Sequence, residues 1–282
     1  ETPRWLLSKG RLKECRKVLQ KIEPENTVND LIGQMEVEIE KDRNSAVGWR
    51  YLMQPWLRTP LMIAVCIMFF QQFVGINTVI YYSPKIFLMA GFESTLSAIW
   101  ASVGIGIVNV VFTVISLYLV DRIGRRKLYF IGLSGIAFSV LCLSACFIYA
   151  NQLGEIGRWL MVIFMFGYVA FFAISIGPLG WLVISEIFPQ KVRGLGTSIG
   201  SLAVWIFNCI VSFTFFKIID FFSIPGTEIV VGQTTSENPA GAFFLYGFIA
   251  VLGLVWGYLF LPETKGLSLE EIEQKWRKNR EC

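Results

Sequence analysis

Six long apolar runs follow one another along most of the chain and are separated by short polar loops. Their bounds are 59–88, 95–119, 128–150, 158–186, 195–222 and 242–261. Each run is about 20 residues or longer, which as a helix is enough to cross about 30 Å of hydrocarbon. Trp and Tyr near several of the ends are typical of residues at a membrane interface. The pattern predicts an all-α membrane protein with six transmembrane helices.

The residues before the first run are polar and charged, with apolar positions at helical spacing. These positions are Leu12, Val18 and Leu19 before Pro24, and Leu31, Met35 and Ile39 after it. The spacing indicates short amphipathic helices, and the alternative is a solvated linker. We therefore expect a cytoplasmic helical segment at 1–58, a six-helix transmembrane bundle at 59–261 and a cytoplasmic tail at 262–282.

The basic residues of the loops predict the orientation in the membrane. Residues 121–127 hold four Lys or Arg and residues 189–194 hold two, whereas 89–94 and 223–241 hold none. Lys and Arg are enriched in cytoplasmic loops. We therefore expect a multi-pass protein of the plasma or inner cell membrane, with both termini of the chain in the cytoplasm.

Composition favours the membrane class and argues against several kinds of chemistry. Of the 282 residues, 54% are hydrophobic and 16% are charged, against about a quarter charged in soluble domains. The net charge of +4 is small, so nucleic acid is not expected as a partner. The chain has no His, and its six Cys show no ligand spacing, so we predict no metal, no cofactor and no catalytic residue.

The chain opens on Glu1 without a visible signal peptide, so we expect a fragment.

The first apolar run carries an unusual number of polar side chains. Between Phe69 and Phe87 it contains Gln71, Gln72, Asn77, Tyr81 and Tyr82. In hydrocarbon a polar group without a partner costs several kcal/mol. We interpret this segment as one wall of a polar cavity. The alternative is that its amides only hold neighbouring helices together.

The interiors of the six runs contain no Asp, Glu, Lys or Arg. Ionisable residues at depth usually mark ion or proton paths, so their absence argues against a charged substrate. The polar and aromatic groups at depth are Gln71, Gln72, Asn77, Tyr81, Asn109, Trp181, Trp205 and Asn208. Amides donate and accept hydrogen bonds, and a Trp face suits the CH face of a sugar ring. The sequence therefore predicts a site for a neutral polyol or sugar.

Two of these predicted contacts conflict on a regular helix. Gln72 and Asn77 would lie roughly 140° apart at 3.6 residues per turn. Gly75 between them allows a break, and discontinuous spans are common in transporters. A cavity wide enough to reach both side chains is the alternative.

The fourth run contains a second candidate hinge. Gly177, Pro178 and Gly180 lie in its second half, and a proline inside a helix produces a kink. We predict that this span bends there during function. The alternative is a static kink.

Charged signatures close the second, fourth and sixth runs. They are DRIGRR at 121–126, SEIFPQKVRG at 185–194 and PETKG at 262–266. Opposite charges at facing helix ends form breakable ion pairs, each below about 1 kcal/mol when exposed, and a network of them can bias a two-state equilibrium. The alternative is that the Arg residues only set the topology.

Together these motifs resemble the sugar porters of the major facilitator superfamily. The resemblance rests on ETPRWL at 1–6, QQFVGINTVIYYSP at 71–84, DRIGRR, SEIFPQKVRG and PETKGLSLEEIE at 262–273, and it covers the whole chain in the family's order. It implies the C-terminal half of a twelve-span major facilitator fold, built as two inverted three-helix repeats. The missing N-terminal six-helix half is then an expected partner.

The resemblance also implies roles for single residues. It places Gln71, Gln72, Ile76, Asn77, Tyr81, Asn109, Trp181 and Trp205 at sugar-contact positions, with Asn208 beside them. It places Asp121, Arg125, Arg126, Glu186 and Arg193 in a cytoplasmic gating latch. The chain departs from the family at Val204, where an amide is frequent, and at Ala173, where glucose uniporters carry an acid.

We therefore expect transmembrane transport of a neutral monosaccharide, a hexose or a pentose, by alternating access. We favour proton symport over facilitative uniport of a sugar or polyol. The expected partners are then the sugar, protons and membrane lipid. A half-size membrane module without transport activity is the weaker alternative. A membrane enzyme would need an acid, a base, a nucleophile or a phosphate-binding loop at depth, and the sequence offers none.

Overall fold

The computed structural model describes residues 3–21, 24–44, 52–92, 94–223, 229–231, 234–266, 271 and 276. The chain divides into two compact units, Glu1–Met53 and Gln54–Cys282.

The Glu1–Met53 unit is helical, with α1 at Pro3–Ser8, α2 at Leu12–Leu19 and α3 at Glu25–Asn44. Its core consists of Leu6, Leu7, Cys15, Leu19, Val28 and Ile32, with Val18 and Met35 packed against it. Helix α2 is amphipathic, since it buries Cys15 and Leu19 while Lys13 and Lys17 are exposed. Arg11 donates hydrogen bonds of 2.8 and 2.6 Å to Glu14, which lower the pKa of that carboxyl.

The Gln54–Cys282 unit contains six helical spans long and apolar enough to cross a membrane, counted over the described residues. The helices are α4 (Arg58–Phe73), α5 (Ile76–Met89), α6 (Thr95–Ile123), α7 (Arg125–Ile148), α8 (Ala150–Ile174), α9 (Ile176–Ile187), α10 (Gln190–Phe221) and α11 (Ala240–Phe260). The first span consists of a short 3₁₀ turn (Pro55–Leu57), α4 and α5, and the fourth of α8 and α9. These spans confirm the predicted all-α, six-span membrane architecture.

A short antiparallel hairpin, β1 (Ile229–Val231) and β2 (Thr234–Ser236), lies between the fifth and sixth spans. The sequence pattern predicts no element there. Its three-residue strands leave the helical class unchanged.

Two of the six spans are broken, and they are the first member of each successive set of three. The first span breaks at Gly75, which has φ +87°. The fourth breaks at Ser175, with φ −127° and ψ −106°. It also starts earlier than the apolar pattern predicts, because Ala150–Ile174 continues through a kink at Gly154. Equivalent breaks in both sets of three agree with a repeated three-helix design.

The packing of the spans brings the two breaks together. Helix α7 packs along α8 and α11, and α4 packs against α9 and α10. Helix α6 contacts α5 and α8 and is the most exposed of the spans. The polar segment of the first span therefore faces the broken middle of the fourth.

Candidate functional site

A chain of amide hydrogen bonds links the breaks of the first and fourth spans. Asn77 Nδ2 donates to Gln72 Oε1 at 2.6 Å, and Gln72 Nε2 donates to Gln71 Oε1 at 3.3 Å. Gln71 Nε2 in turn lies 3.0 and 2.7 Å from the backbone carbonyls of Ile176 and Gly177. Gln71 and Gln72 are buried and Asn77 is half-buried. Each amide therefore holds the next in a fixed orientation.

The helix break removes the conflict between Gln72 and Asn77. Gln72 belongs to α4, and Asn77 lies in the first turn of α5 after Gly75. The left-handed backbone at Gly75 is one that residues with a Cβ rarely adopt. An added Cβ would also lie 2.3 Å from Tyr246 Cε2. Glycine is thus required here both by the backbone and by the close approach of the sixth span.

Tyrosines from two other spans satisfy the polar groups at the first break. Tyr168 Oη of α8 donates to the carbonyl of Val74 at 2.8 Å. Thr78 Oγ1 donates to the carbonyl of Gly75 at 2.6 Å and lies 3.3 Å from Tyr246 Oη. Tyr168 and Tyr246 are fully buried. Sequence reasoning missed both tyrosines, because a Tyr inside an apolar run looks like any core aromatic.

The second half of the fourth span packs closely against the first span at Gly180, which has no side chain. A Cβ added at Gly180 would lie 3.0 Å from Gln71 Nε2 and 3.4 Å from Met68. Gly180 therefore leaves room for the buried amide. Gly177 and Pro178 occupy the first turn of α9, where a proline costs no hydrogen bond. The break itself lies upstream of the predicted position, at Ser175. Motion at Gly75, Gly177, Pro178 and Gly180 stays a prediction.

A cavity of about 360 Å³ opens beside the amide chain, and we call it the central cavity. Its lining residues are Gln71, Gln72, Ile76, Asn77, Asn109, Thr113, Phe172, Ala173, Gly177, Pro178, Trp181 and Val204. The described lining residues are neutral and combine amides and a hydroxyl with aromatic and aliphatic groups. Thr113 Oγ1 donates to Asn109 Oδ1 at 3.2 Å, which leaves the Asn109 amide nitrogen available. Thr113 and Phe172 were not among the sequence-predicted residues.

Three predicted site residues lie outside this lining. Asn208 Nδ2 of α10 lies 3.4 Å from Tyr81 Oη of α5, and Asn208 Oδ1 accepts from Ser212 Oγ at 3.0 Å. These residues form a second polar cluster. Trp205 follows the lining residue Val204 in the chain but is 65% exposed. The structure thus brings together six of the nine predicted residues in the central cavity.

A second cavity of about 440 Å³ adjoins the first. Pro178 and Trp181 line both. The remaining lining residues of the second cavity are Ser116, Leu117, Val120, Asp121, Leu182 and Ser185. The second cavity therefore leads from the central cavity toward the end of the spans where the charged signatures lie, which we call the basic end.

Part of the predicted latch is assembled at the basic end. Arg125 Nη2 lies 2.8 Å from Glu186 Oε1 and 3.5 Å from Asp121 Oδ1. The Arg125 and Glu186 side chains are 13% and 21% exposed, whereas that of Asp121 is 79% exposed. Thr264 Oγ1 donates to the other Glu186 oxygen at 2.5 Å. The Arg125–Glu186 pair is therefore the shielded part of this cluster.

Glu263 follows the sixth span and links it to the start of the third span at the same end. Its carboxylate accepts hydrogen bonds of 3.1 Å from the backbone N–H groups of Arg125, Arg126, Thr264 and Lys265. Two of these donors open α7, whose N-terminus favours a negative charge. Glu263 and Thr264 lie in the PETKG signature, but sequence reasoning did not assign them to the latch.

The side chains of two predicted latch residues make no contact with the carboxylates of this cluster. Arg126 Nη2 donates to the carbonyl of Tyr258 at 2.8 Å. The Nε and Nη2 atoms of Arg193 are buried and have no hydrogen-bond partner among the residues that the structure describes. Among the described residues, no group of three or more His, Cys, Asp or Glu is placed to hold a metal ion.

Comparison with known proteins gives one consistent result. Residues 1–276 match the family described as "Sugar (and other) transporter". The chain is 34% identical over 276 residues to the D-xylose-proton symporter of Escherichia coli (strain K12), covering 98% of this chain and 52% of the symporter. It is 34% identical over 279 residues to the glucose facilitated diffusion protein of Zymomonas mobilis, covering 98% of this chain and 55% of that protein.

A solved structure of the proton:xylose symporter XylE bound to 6-bromo-6-deoxy-D-glucose superimposes with a TM-score of 0.70. At 33% identity, the match covers 98% of this chain and 54% of the symporter chain. The chain thus spans about half the length of the curated relatives it matches.

Proposed function

This chain belongs to the sugar transporter family, and on that premise we propose that it forms half of a transporter that moves a neutral monosaccharide across a membrane by alternating access. The proposed substrate is a hexose or a pentose. The relatives described above carry the names of xylose and glucose transporters. Family membership also favours a transporter over the membrane enzyme.

The neutral lining of the central cavity is the observation that carries the proposal. Its polar groups are amides and one hydroxyl, held by the chain from Asn77 to the fourth span. Each sugar hydroxyl both donates and accepts hydrogen bonds, and amides offer a donor and an acceptor in return. Trp181 and Phe172 supply apolar surface for the ring. A charged substrate would leave its charge without a partner in this lining, which is costly away from water.

The position of the cavity supports alternating access. It lies where both broken spans meet, so changes at the breaks alter the cavity directly. The second cavity connects it toward the Arg125–Glu186 pair. We propose that this pair and the bonds of Glu263 close the basic end in one state and separate in the other, with Asp121 as an exposed contributor.

We propose that a second six-span half completes the site. Several predicted contacts, among them Tyr81 and Trp205, are exposed here, as expected for residues that face a ligand or the other half. The alternative is a half-size module without transport activity of its own. We also propose a plasma or inner cell membrane location with the basic end in the cytoplasm, because its loops concentrate Lys and Arg.

Proton symport is the favoured version and uniport the alternative. Relatives of both kinds match equally well, at 34% identity each. Among the described lining residues of the central cavity none is ionisable, and we propose that the proton site lies in the other half.

Uptake of labelled hexoses and pentoses tests the proposal, using membrane vesicles with the whole transporter that carries this chain. We expect saturable uptake of at least one sugar, and uphill accumulation that a protonophore abolishes. Accumulation that survives the protonophore would reject proton coupling. Absence of saturable sugar uptake by a folded protein would overturn the transport function.

A further inference from the structure

The Glu1–Met53 unit carries a surface whose charge and aromatic content the transport function does not use. Residues 3–21 contain seven Lys or Arg and one Glu. Four of these cations, Lys9, Lys13, Lys17 and Lys21, recur every fourth residue and are all exposed. We call these four residues the lysine stripe. In the part of the chain that the structure describes, none of the four forms an ion pair.

The stripe faces away from the core of its own unit. At about 100° per residue, Lys13 and Lys17 lie opposite Cys15 and Leu19, which are buried. The single acid of this region does not neutralise the stripe, because Glu14 is paired with Arg11 at 2.6 Å. Lys13 and Lys17 are therefore directed away from this core, and Lys9 and Lys21 flank them as exposed cations.

Exposed apolar side chains border the stripe. Trp5 is 42% exposed and Leu12 is 45% exposed. The Lys9 ammonium and the Arg11 guanidinium lie 6.0 and 5.8 Å from the centre of the Trp5 ring. Trp5 belongs to α1 and Leu12 opens α2, so two successive helices present exposed Trp and Leu beside the Lys residues. This combination is typical of a segment that lies at a lipid headgroup layer.

Chain length keeps this surface near a bilayer. Helix α3 ends at Asn44, and the first span begins at Pro55. The residues between them, 45–54, extend at most about 35 Å. The start of the first span lies at the basic end, because alternate spans run in opposite directions. The chain connection therefore limits how far this unit can lie from the leaflet at that end.

We propose that the lysine stripe, with Trp5 and Leu12, docks on the anionic headgroups of that leaflet. The Lys ammoniums contact lipid phosphates, and the two apolar side chains enter the headgroup layer. Each cation near an anionic surface typically strengthens binding about fivefold. This surface is independent of which sugar is carried and of whether the transporter couples to protons.

Lysine labelling in nanodiscs tests the docking. The whole protein is placed in discs of phosphatidylcholine alone or with about 30% phosphatidylglycerol, an anionic fraction that gives a negative surface potential. An amine-reactive reagent is added, and the rate at each Lys is read by mass spectrometry. We expect the stripe to react about three to ten times more slowly in anionic discs, and molar salt to remove the difference because it screens charge.

Lys127 and Lys191 serve as internal controls, since they are exposed and lie outside this unit. An anionic surface also attracts protons and slows any nearby amine. These controls measure that general effect, and the stripe should be slowed at least about threefold more than they are. Equal slowing of all Lys residues would overturn the proposal. Equal protection of the stripe in both kinds of disc would indicate a protein partner and would also overturn the proposal. The absence of protection in both kinds of disc would overturn it as well.

Two variants separate docking from general charge. In Lys13→Gln/Lys17→Gln, protection of Lys9 and Lys21 in anionic discs should fall at least about threefold. The matched double variant Lys127→Gln/Lys191→Gln removes the same charge elsewhere and should leave it unchanged. In Trp5→Ser, protection should fall without any change in charge. Unchanged protection in both the lysine and the Trp5 variants would contradict the proposal.

Discussion

At the level of single residues, the break in the first span is held by side chains from two other spans. Tyr168 donates to the carbonyl that the break leaves free at Val74, and Tyr246 packs on Gly75. In hydrocarbon such a carbonyl would otherwise cost several kcal/mol. The tyrosines therefore allow an irregular backbone at the depth where a neutral cavity is built.

Replacing Tyr168 by Phe tests this role. The variant leaves the Val74 carbonyl without its partner, and we expect the free energy of unfolding to fall by about 1–3 kcal/mol. Because the break also positions Gln72 and Asn77, we expect sugar uptake per folded molecule to fall about threefold or more. Thermal unfolding and vesicle uptake measure the two effects.

Tyr129→Phe is the matched control. Its hydroxyl is equally buried and donates to the carbonyl of Gly253 at 2.9 Å, away from either break. We expect a similar loss of stability and normal uptake by the folded fraction. If the two variants reduce uptake per folded molecule equally, Tyr168 has no special role at the break.

The sequence predicted the amides of the site but not the side chains that support them. Gln71, Gln72 and Asn77 were recognisable because amides in an apolar run are costly without a partner. Tyr168 and Tyr246 were not, because their hydroxyls matter only once Val74 and Thr78 lie beside them. Tertiary contacts of this kind leave no local pattern.

At the level of helices, the sequence predicts the position of one break correctly and the position of the other only approximately. The angular conflict between Gln72 and Asn77 indicated a break at Gly75, and the structure places one there. For the fourth span, the prediction placed the break at Pro178, whereas the structure places it three residues earlier, at Ser175. A proline in the first turn of a helix is well tolerated, so it follows a break rather than causing one.

The charged signatures show the same limit. Opposite charges at span ends predicted pairing, and Arg125 meets Glu186 at 2.8 Å. Arg126 and Arg193 carry the same charge as Arg125, but their side chains have different neighbours. Only tertiary packing shows which of the three arginines pairs with Glu186. Glu263 binds four backbone N–H groups, a role that a sequence of charges does not reveal.

Glu186→Gln tests the gating role of the charged cluster. The substitution keeps the shape but removes the charge that Arg125 faces. Because the pair is only partly exposed, we expect a loss of about 1–3 kcal/mol from the state in which the basic end is closed. This corresponds to a shift of roughly 5- to 150-fold in the equilibrium between states. Distances between spin labels across the basic end of the whole transporter measure it.

Arg122→Gln is the control for this shift. Arg122 is exposed and bonds to Tyr118 within its own helix at 2.9 Å. We expect its removal to leave the distance distribution unchanged. An unchanged distribution in Glu186→Gln as well would contradict the gating role.

At the level of the whole molecule, neutral and charged groups of the six-span unit lie in different places. Neutral amides line the central cavity, and the ion pairs lie at the basic end, beyond the second cavity. The composition already indicated this division, since charges are absent from the interiors of the spans. In the function that we propose, a second six-span half supplies the opposite wall of the cavity.

Sugar binding by Gln72→Ala and Asn77→Ala is the most direct test of the central claim. Binding is measured calorimetrically on the purified whole transporter, with unfolding temperature as a check of the fold. We expect each variant to bind sugar at least about tenfold more weakly, since hydrogen bonds that orient a ligand contribute about 1–3 kcal/mol in a buried site. Gln152→Ala, an exposed amide outside the cavity, should bind normally. A folded Gln72→Ala or Asn77→Ala protein with unchanged sugar affinity would contradict the account.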